Sequence, residues 1–141
     1  MPLLKVTTSD IQKSKILQEG WFGLQCKGVS DWTPSSDGKS TNMKVTFLVE
    51  GTDGKEMEHI INSKGIGFQC ALFASFENLT LKAYQDKAAD QELDTDKWVG
   101  KKVDGHVIVD TYQGRNNNKF STFMPYGKGR EQAKQSGQGG F

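Results

Sequence analysis

An aromatic stripe at helical spacing interrupts a chain that otherwise shows the two-residue period of β-strands. Phe68, Leu72, Phe73 and Phe76 recur three or four residues apart within residues 65–79, GIGFQCALFASFENL. That spacing predicts a helix whose aromatic stripe faces the core. Three strand patterns precede the helix and two follow it, so the order of elements is strand, strand, strand, helix, strand, strand.

The strand patterns rest on alternation of apolar with polar or glycine positions. The clearest is MKVTFLV, residues 43–49, which follows a long loop of turn-forming residues. In the first strand, which starts at Gly20, Gly28 predicts a bulge that lets the strand curl. The other predicted strands are Lys55–Asn62, a strand carrying Val103, Val107 and Val109, and Lys119–Tyr126.

This order, with a curved first strand and a helix between the third and fourth strands, is typical of the OB-fold, a five-stranded, partly open Greek-key barrel. An SH3-like barrel or a generic sandwich explains the position of the helix less well. We therefore expect a mainly β protein with an OB-fold domain over residues 20–126. An N-terminal arm or short helix, capped at Ser9 or Asp10, is expected over residues 1–19, and a flexible Gly/Gln-rich tail over residues 127–141.

Length and charge narrow the possible classes of protein. The 141 residues fit one domain with a core, and 18 Lys and Arg against 17 Asp and Glu leave a net charge of +1 that marks no partner. No stretch approaches the ~18 apolar residues of a membrane span, and MPLLKVTTSD lacks a cleavage-site pattern. Cys26 and Cys70 show no disulfide-dense pattern. These features predict a soluble cytoplasmic protein with no membrane association.

Two loops carry the residues that suggest a ligand. An OB-fold usually binds its ligand across the second and third strands, between the loop joining strands one and two and the loop joining strands four and five. In this chain both loops interleave cations with aromatic residues, which suits single-stranded nucleic acid, because phosphates take the charge and bases stack on rings. The candidate contacts are Trp32, Lys39, Lys44, Tyr112, Arg115, Asn116, Lys119 and Tyr126.

Some of these candidates also have a structural interpretation. Trp32 could anchor its loop, and the asparagines at 116–118 could simply shape a turn, since Asn tolerates left-handed backbone angles. Phe120, Phe123 and Tyr126 cannot all face one way on a strand, and Tyr126 is the one predicted to be exposed.

Other features are predicted to lie apart from the ligand. Trp21, Phe22 and Trp98 border apolar runs and are expected in or at the end of the core. The acidic segment Gln85–Asp96 is expected to face away from any anionic ligand.

Catalysis has no support in the sequence. His59 and His106 lie on separate predicted strands without other ligands at metal spacing. The segment SKGIG before the helix lacks the order of a phosphate-binding loop, and no serine, cysteine or lysine has an evident activating base. We predict a non-enzyme with no cofactor and no metal. The alternative to a DNA-binding protein is an OB-fold protein–protein adaptor or an RNA-binding module.

Three runs resemble the OB-fold single-stranded DNA-binding proteins encoded by bacteriophages: GWFGLQCKGVSDW, MKVTFLVEGTDGKEMEHII and WVGKKVDGHVIVDTYQGRNNNKFSTFMPYG. The resemblance extends over about residues 10–127. It implies sequence-independent binding of single-stranded DNA in phage replication or recombination, in the host cytoplasm. We expect a monomer or small homo-oligomer. Phage or host replication and recombination proteins would be its partners. The same resemblance implies a binding groove containing Trp32, Lys44, Tyr112, Arg115 and Lys119. The basic end of the chain departs from the acidic tails of many such proteins.

Overall fold

The computed structural model describes residues 2–87 and 90–135, and over these ranges the chain is mainly β with a few short helices. The strands are β1 (Gly20–Val29), β2 (Thr33–Pro34), β3 (Thr41–Val49), β4 (Glu56–Asn62), β5 (Lys102–Tyr112) and β6 (Arg115–Pro125). The α-helices are α1 (Thr8–Ser14), α2 (Cys70–Phe76), α3 (Leu81–Gln85) and α4 (Lys128–Gln135), and turns of 3-10 helix cover Ile66–Gln69 and Thr95–Trp98. No helix in the described ranges is both long and apolar enough to cross a bilayer.

All six strands form one antiparallel sheet in the order β2-β3-β1-β5-β6, and β4 pairs with β3. The long strand β1 is shared by two neighbours: its first half pairs with β5 and its second half with β3. The bulge predicted from Gly28 is confirmed by a register shift between Cys26 and Gly28. The sheet curls as a result, and its concave side holds the core.

Phe47 of β3 lies at the centre of that core, with no exposed surface. Its ring centroid is 5.7 Å from those of Phe120 and Phe123 on β6 and 6.1 Å from that of Phe76 on α2. Trp98 stacks on Phe76 at 4.6 Å and is buried, as predicted. The helix between β4 and β5 therefore closes one side of the curled sheet.

The outer strands β4 and β6 approach each other through side chains. The ring of His59 on β4 lies 5.0 Å from that of Phe123 and 6.0 Å from that of Phe120. No backbone ladder joins the two strands among the described residues, so the sheet is open at this seam.

An irregularity in β6 turns two phenylalanines toward the core. Gly105 pairs with Phe123 and Val107 with Phe120, so Ser121 is an extra residue in β6. The bulge lets Phe120 and Phe123 face the same side although three positions separate them. Gly105 makes room for them, since a Cβ atom there would lie 2.6 Å from Leu24 Cδ1 and 3.0 Å from the Phe120 ring.

The helical segment after β4 is shorter than predicted. Leu72, Phe73 and Phe76 are buried, as their spacing predicts, but Phe68 is 90% exposed. Its assignment to the core was wrong, because residues 66–69 form a 3-10 turn before α2 begins at Cys70. A 3-10 turn has three residues per turn, so the stripe does not extend in phase through Phe68.

The ends of the chain are held by specific polar contacts. Thr7, rather than the predicted Ser9 or Asp10, caps α1: its Oγ1 accepts from Asp10 N at 3.2 Å, and the Asp10 carboxylate accepts from Thr7 N at 3.0 Å. Residues 128–135, predicted as part of a flexible tail, form helix α4, because Asp104 accepts hydrogen bonds at the start of that helix. Residues 136–141 of the predicted tail lie outside the described residues.

Candidate nucleic-acid interface

A tight turn, rather than a polar loop, joins β5 to β6. Only Gln113 and Gly114 separate the strands, with φ angles of 52° and 77°, which is the geometry of a type I′ turn and matches the twist of paired strands. Arg115 to Lys119 were predicted to lie in a loop, with the last strand starting at Lys119. They belong to β6, which starts at Arg115.

The hairpin extends beyond the rest of the sheet. β1 pairs with β5 only as far as Val107, and residues 108–119 pair only with each other. We call residues 108–119 the finger. Because alternate positions share a face and Phe120 points inward, the outer face carries these side chains: Ile108, Asp110, Tyr112, Arg115, Asn117 and Lys119.

An aromatic ring and two cations therefore lie together on the outer face of the finger. Tyr112 is 67% exposed and pairs directly with Arg115. Arg115 is exposed, and no carboxylate of the described residues forms an ion pair with it. Lys119 Nζ lies 3.4 Å from Asp110 Oδ2, in an exposed ion pair. Of the two cations on the finger, the Arg115 guanidinium is therefore the more available to an anionic ligand.

The inner face of the finger holds the N-terminal arm. The side-chain amide of Asn118 accepts from Leu17 N at 2.7 Å and donates to Leu17 O at 3.0 Å, and Val109 N donates to Glu19 Oε2 at 2.9 Å. Asn116 also lies on this face, and its Oδ1 accepts from Thr111 Oγ1 at 2.9 Å. The asparagines do not shape the turn, and Asn116 does not share the face of Tyr112.

Residues of β3 and β4 share a recess with the finger and the N-terminal arm. Asn117 of the finger, Thr46 and Glu58 line one recess of about 430 Å³. Further along this face, Lys44 Nζ lies 3.6 Å from Glu58 Oε2, and both side chains are about half exposed. Ile60, which pairs with Lys44, is 46% exposed. Lys44 thus lies on the outer face of β3 and is already paired with a carboxylate.

The two predicted contacts in the first loop, Trp32 and Lys39, lie in different surroundings. Trp32 is 43% exposed and lines a groove of about 810 Å³ whose other walls include Asp31, Asp90, Glu92 and the buried Trp98. No lysine or arginine is among the described residues lining that groove. Lys39, by contrast, is exposed near the start of β3; its backbone N–H donates to an oxygen of Asp37 at 3.0 Å, and its side chain forms no ion pair with a described residue.

Tyr126 belongs to a different site. It follows β6 at the end opposite Arg115, and the eleven strand residues put it roughly 35 Å away along the strand. Its hydroxyl donates to Glu50 Oε1 at 2.6 Å. The Arg130 guanidinium lies 4.6 Å and Lys102 Nζ 5.3 Å from the centroid of its ring, which is the distance of a cation–π contact. Tyr126 therefore helps to hold α4 and is not brought together with the finger.

The polar centre of that cluster was not predicted. Asp104 has no exposed surface, and its carboxylate accepts from Gly127 N and Arg130 N at 2.9 Å each and from Arg130 Nε at 3.2 Å. The hydrogen bond from the Arg130 side chain to Asp104 raises the pKa of Arg130 above its ordinary value. The sequence signal that could have indicated this cluster is an aspartate inside an apolar strand, since a buried carboxylate needs a hydrogen-bonding or charged partner.

The histidines have local structural partners. His59 Nε2 lies 2.6 Å from Gln69 Oε1, and burial lowers the pKa of its imidazole. His106 Nδ1 lies 2.7 Å from Ser121 Oγ. Over the described ranges, no group of three or more His, Cys, Asp or Glu residues is placed to hold a metal ion.

Of the predicted contacts, Tyr112, Arg115 and Lys119 share one surface, which Asn117 connects to the face that carries Lys44. The remaining candidates lie at the first loop, on the inner side of the finger and beside α4. No protein-family model matches the chain, and comparison with curated proteins found no match.

Proposed function

We propose that the chain is an OB-fold protein that binds single-stranded DNA without sequence preference and protects it during phage replication or recombination. The outer face of the finger carries this proposal. A tyrosine ring with two thirds of its surface in water stands opposite an arginine that no described carboxylate neutralises. Bases stack on such rings at about 1–3 kcal/mol each, and the guanidinium can hold a neighbouring phosphate.

The topology supports the OB-fold assignment. A long first strand shared by two neighbours, a helix between β4 and β5, and two outer strands that meet through His59 and Phe123 are features of a five-stranded, partly open barrel. The ligand surface of such a barrel is the face of its second and third strands, which correspond to β3 and β4. Asn117 of the finger shares a recess with Thr46 and Glu58 on that face, and Asn118 and Ile16 of the N-terminal arm also line it.

The charges on this surface limit how steeply binding should depend on salt. Lys44 and Lys119 each lie beside a carboxylate, in exposed pairs worth about 0–1 kcal/mol. A phosphate can displace such a carboxylate, but the gain is small. Arg115 is therefore expected to supply the largest single phosphate contact.

Fluorescence titration with oligothymidylate, at two salt concentrations, tests the proposal. Single-stranded DNA should bind more tightly than duplex of equal length, with an affinity that falls as salt rises. Arg115→Ala should weaken binding and reduce the log–log salt slope by roughly 0.7. Tyr112→Ala should weaken binding by about 1–3 kcal/mol and leave the slope unchanged. Lys82→Ala, in an exposed pair on α3, is the matched control.

Equal affinity for duplex would contradict the proposal, as would finger variants that bind like the parent. Equal or tighter binding of oligouridylate would favour the RNA-binding alternative. If no oligonucleotide binds at low salt, the adaptor alternative gains, and the groove beside Trp32 favours it. That groove combines apolar walls with Asp31, Asp90 and Glu92, which suits a basic, apolar segment of a partner protein.

A further inference from the structure

Phe68 is more exposed than any other aromatic side chain in the described ranges. Its ring is 90% exposed, against 67% for Tyr112, although burying a phenylalanine is worth about 1.5–3 kcal/mol. The 3-10 turn holds it there: Phe68 N donates to Gly65 O at 3.0 Å, and a Cβ atom on Gly65 would lie 3.3 Å from the ring. The ring thus has a defined place on the surface.

The turn before Phe68 is fastened to the start of β3. Ser63 N donates to Thr41 O at 2.8 Å, and Thr41 N donates to Ser63 Oγ at 3.0 Å. The amide of Asn62 donates to Ser40 Oγ at 2.8 Å. These contacts bring the turn that leads to Phe68 beside the end of the first loop, where Lys39 lies.

Two exposed lysines flank this junction. Lys39 ends the first loop and Lys64 follows Ser63, and neither forms an ion pair with a carboxylate of the described residues. The nearest acidic residue along the chain, Asp37, accepts from the Ser35 hydroxyl and from Lys39 N, which lowers its pKa. Cations close to an exposed aromatic residue are also the arrangement found on the outer face of the finger.

We infer that Phe68, Lys39 and Lys64 form a second contact site for single-stranded nucleic acid, in which the ring stacks a base and the lysines hold phosphates. This inference rests on the proposed function and extends it to the start of β3, where the first loop meets the turn after β4. From Thr46, beside the finger, to Thr41 is five residues, or about 17 Å along β3. One strand of nucleic acid crosses the face of β3 and β4 between the two rings.

Photocrosslinking and binding test the site directly. Oligothymidylate of about 16 nucleotides, near the upper limit of OB-fold site sizes, is prepared with 5-iodouracil at each position in turn, crosslinked, and mapped by mass spectrometry. Crosslinks are expected at Phe68 as well as Tyr112, from positions several nucleotides apart. Phe68→Ala should weaken binding by about 5- to 150-fold, and Phe68→Trp should restore it with quenching of the new indole.

Controls separate this site from the finger and from folding. Leu81→Ala, which removes an apolar side chain 43% exposed on α3, should bind like the parent. Lys39→Gln with Lys64→Gln should reduce the salt slope by roughly 1.4, or 0.7 per contact. Circular dichroism confirms that each variant is folded.

The two proposals fail in different ways. If the parent does not bind single strands, the proposed function is wrong and this inference falls with it. If the parent binds, crosslinks only at Tyr112, and Phe68→Ala has the affinity of the parent, the second site is refuted while the function stands.

Discussion

Replacing Asp104 with alanine is expected to detach helix α4 and to destabilise the whole sheet. The carboxylate has no exposed surface, yet it accepts two backbone N–H groups at 2.9 Å, from Gly127 and Arg130. It also accepts from Arg130 Nε at 3.2 Å and lies 3.0 Å from Arg130 Nη2. The substitution removes all these contacts at once.

The magnitude follows from what remains after the change. Removing one member of a buried ion pair costs about 3–5 kcal/mol. Arg130 is 37% exposed, so its guanidinium can recover water, and a value near 3 kcal/mol is expected. Eight residues are too few for an isolated helix to be stable. We therefore expect α4 to be unfolded in the Asp104→Ala variant.

Urea unfolding followed by tryptophan fluorescence measures both effects. Trp21 packs against Gly129 of α4, so detachment should change its emission before urea is added. Arg130→Lys, which keeps the charge but loses the planar fork, should show an intermediate loss. Lys128→Ala, in an exposed pair of the same helix, should stay within about 0.5 kcal/mol. If Asp104→Ala also stays within that range with unchanged emission, the carboxylate does not hold α4.

Three further predictions concern the core and the finger. Burial lowers the pKa of His59 from 6.5, so the unfolded state binds the extra proton. Urea unfolding should show this contribution intact above pH ~6.5 and falling below it, and His59→Asn should remove that slope. Gly105→Ala, which puts a Cβ atom 2.6 Å from Leu24, should lower the free energy of unfolding by about 1–3 kcal/mol in thermal scans; a neutral result would mean that the strands yield. Asp110→Asn frees Lys119 and should tighten oligothymidylate binding by up to about 1 kcal/mol in titrations; unchanged affinity would mean that Lys119 contacts no phosphate.

Local periodicity predicted the parts of the fold that depend on neighbouring residues. The alternation in residues 43–49 and the spacing of Leu72, Phe73 and Phe76 correspond to buried side chains, because one face of each element meets the core. Gly28 likewise indicated the bulge in β1.

The features that sequence reasoning missed depend on distant contacts or on small changes of backbone geometry. The extra residue at Ser121 leaves no compositional mark, yet it decides which way Phe120 and Phe123 point. Gln113 with a positive φ closes a turn where Asn-Gly would have been the obvious signal. Helix α4 has a polar, glycine-containing sequence, and its stabilising partner is Asp104, on a strand well before it.

For the candidate site, residue types were predictable but their grouping was not. The cations and aromatic rings near Arg115 were visible in the sequence, and the finger does bring Tyr112, Arg115 and Lys119 together. Which carboxylates lie beside Lys44 and Lys119 depends on cross-strand register, which periodicity alone does not specify.

The separation of Asp104 from Arg130 also sets an order on the biosynthesis of the molecule. The two residues are 26 positions apart, so at about 5–20 residues per second the ribosome adds Arg130 roughly 1–5 s after Asp104. During that interval the Asp104 carboxylate has no arginine with which to pair, and it must remain hydrated. Every strand of the sheet has already been synthesised by then. A released chain that ended at Gly127 would therefore contain every strand of the sheet but lack Arg130, and the carboxylate of Asp104 would stay hydrated at the place where α4 belongs.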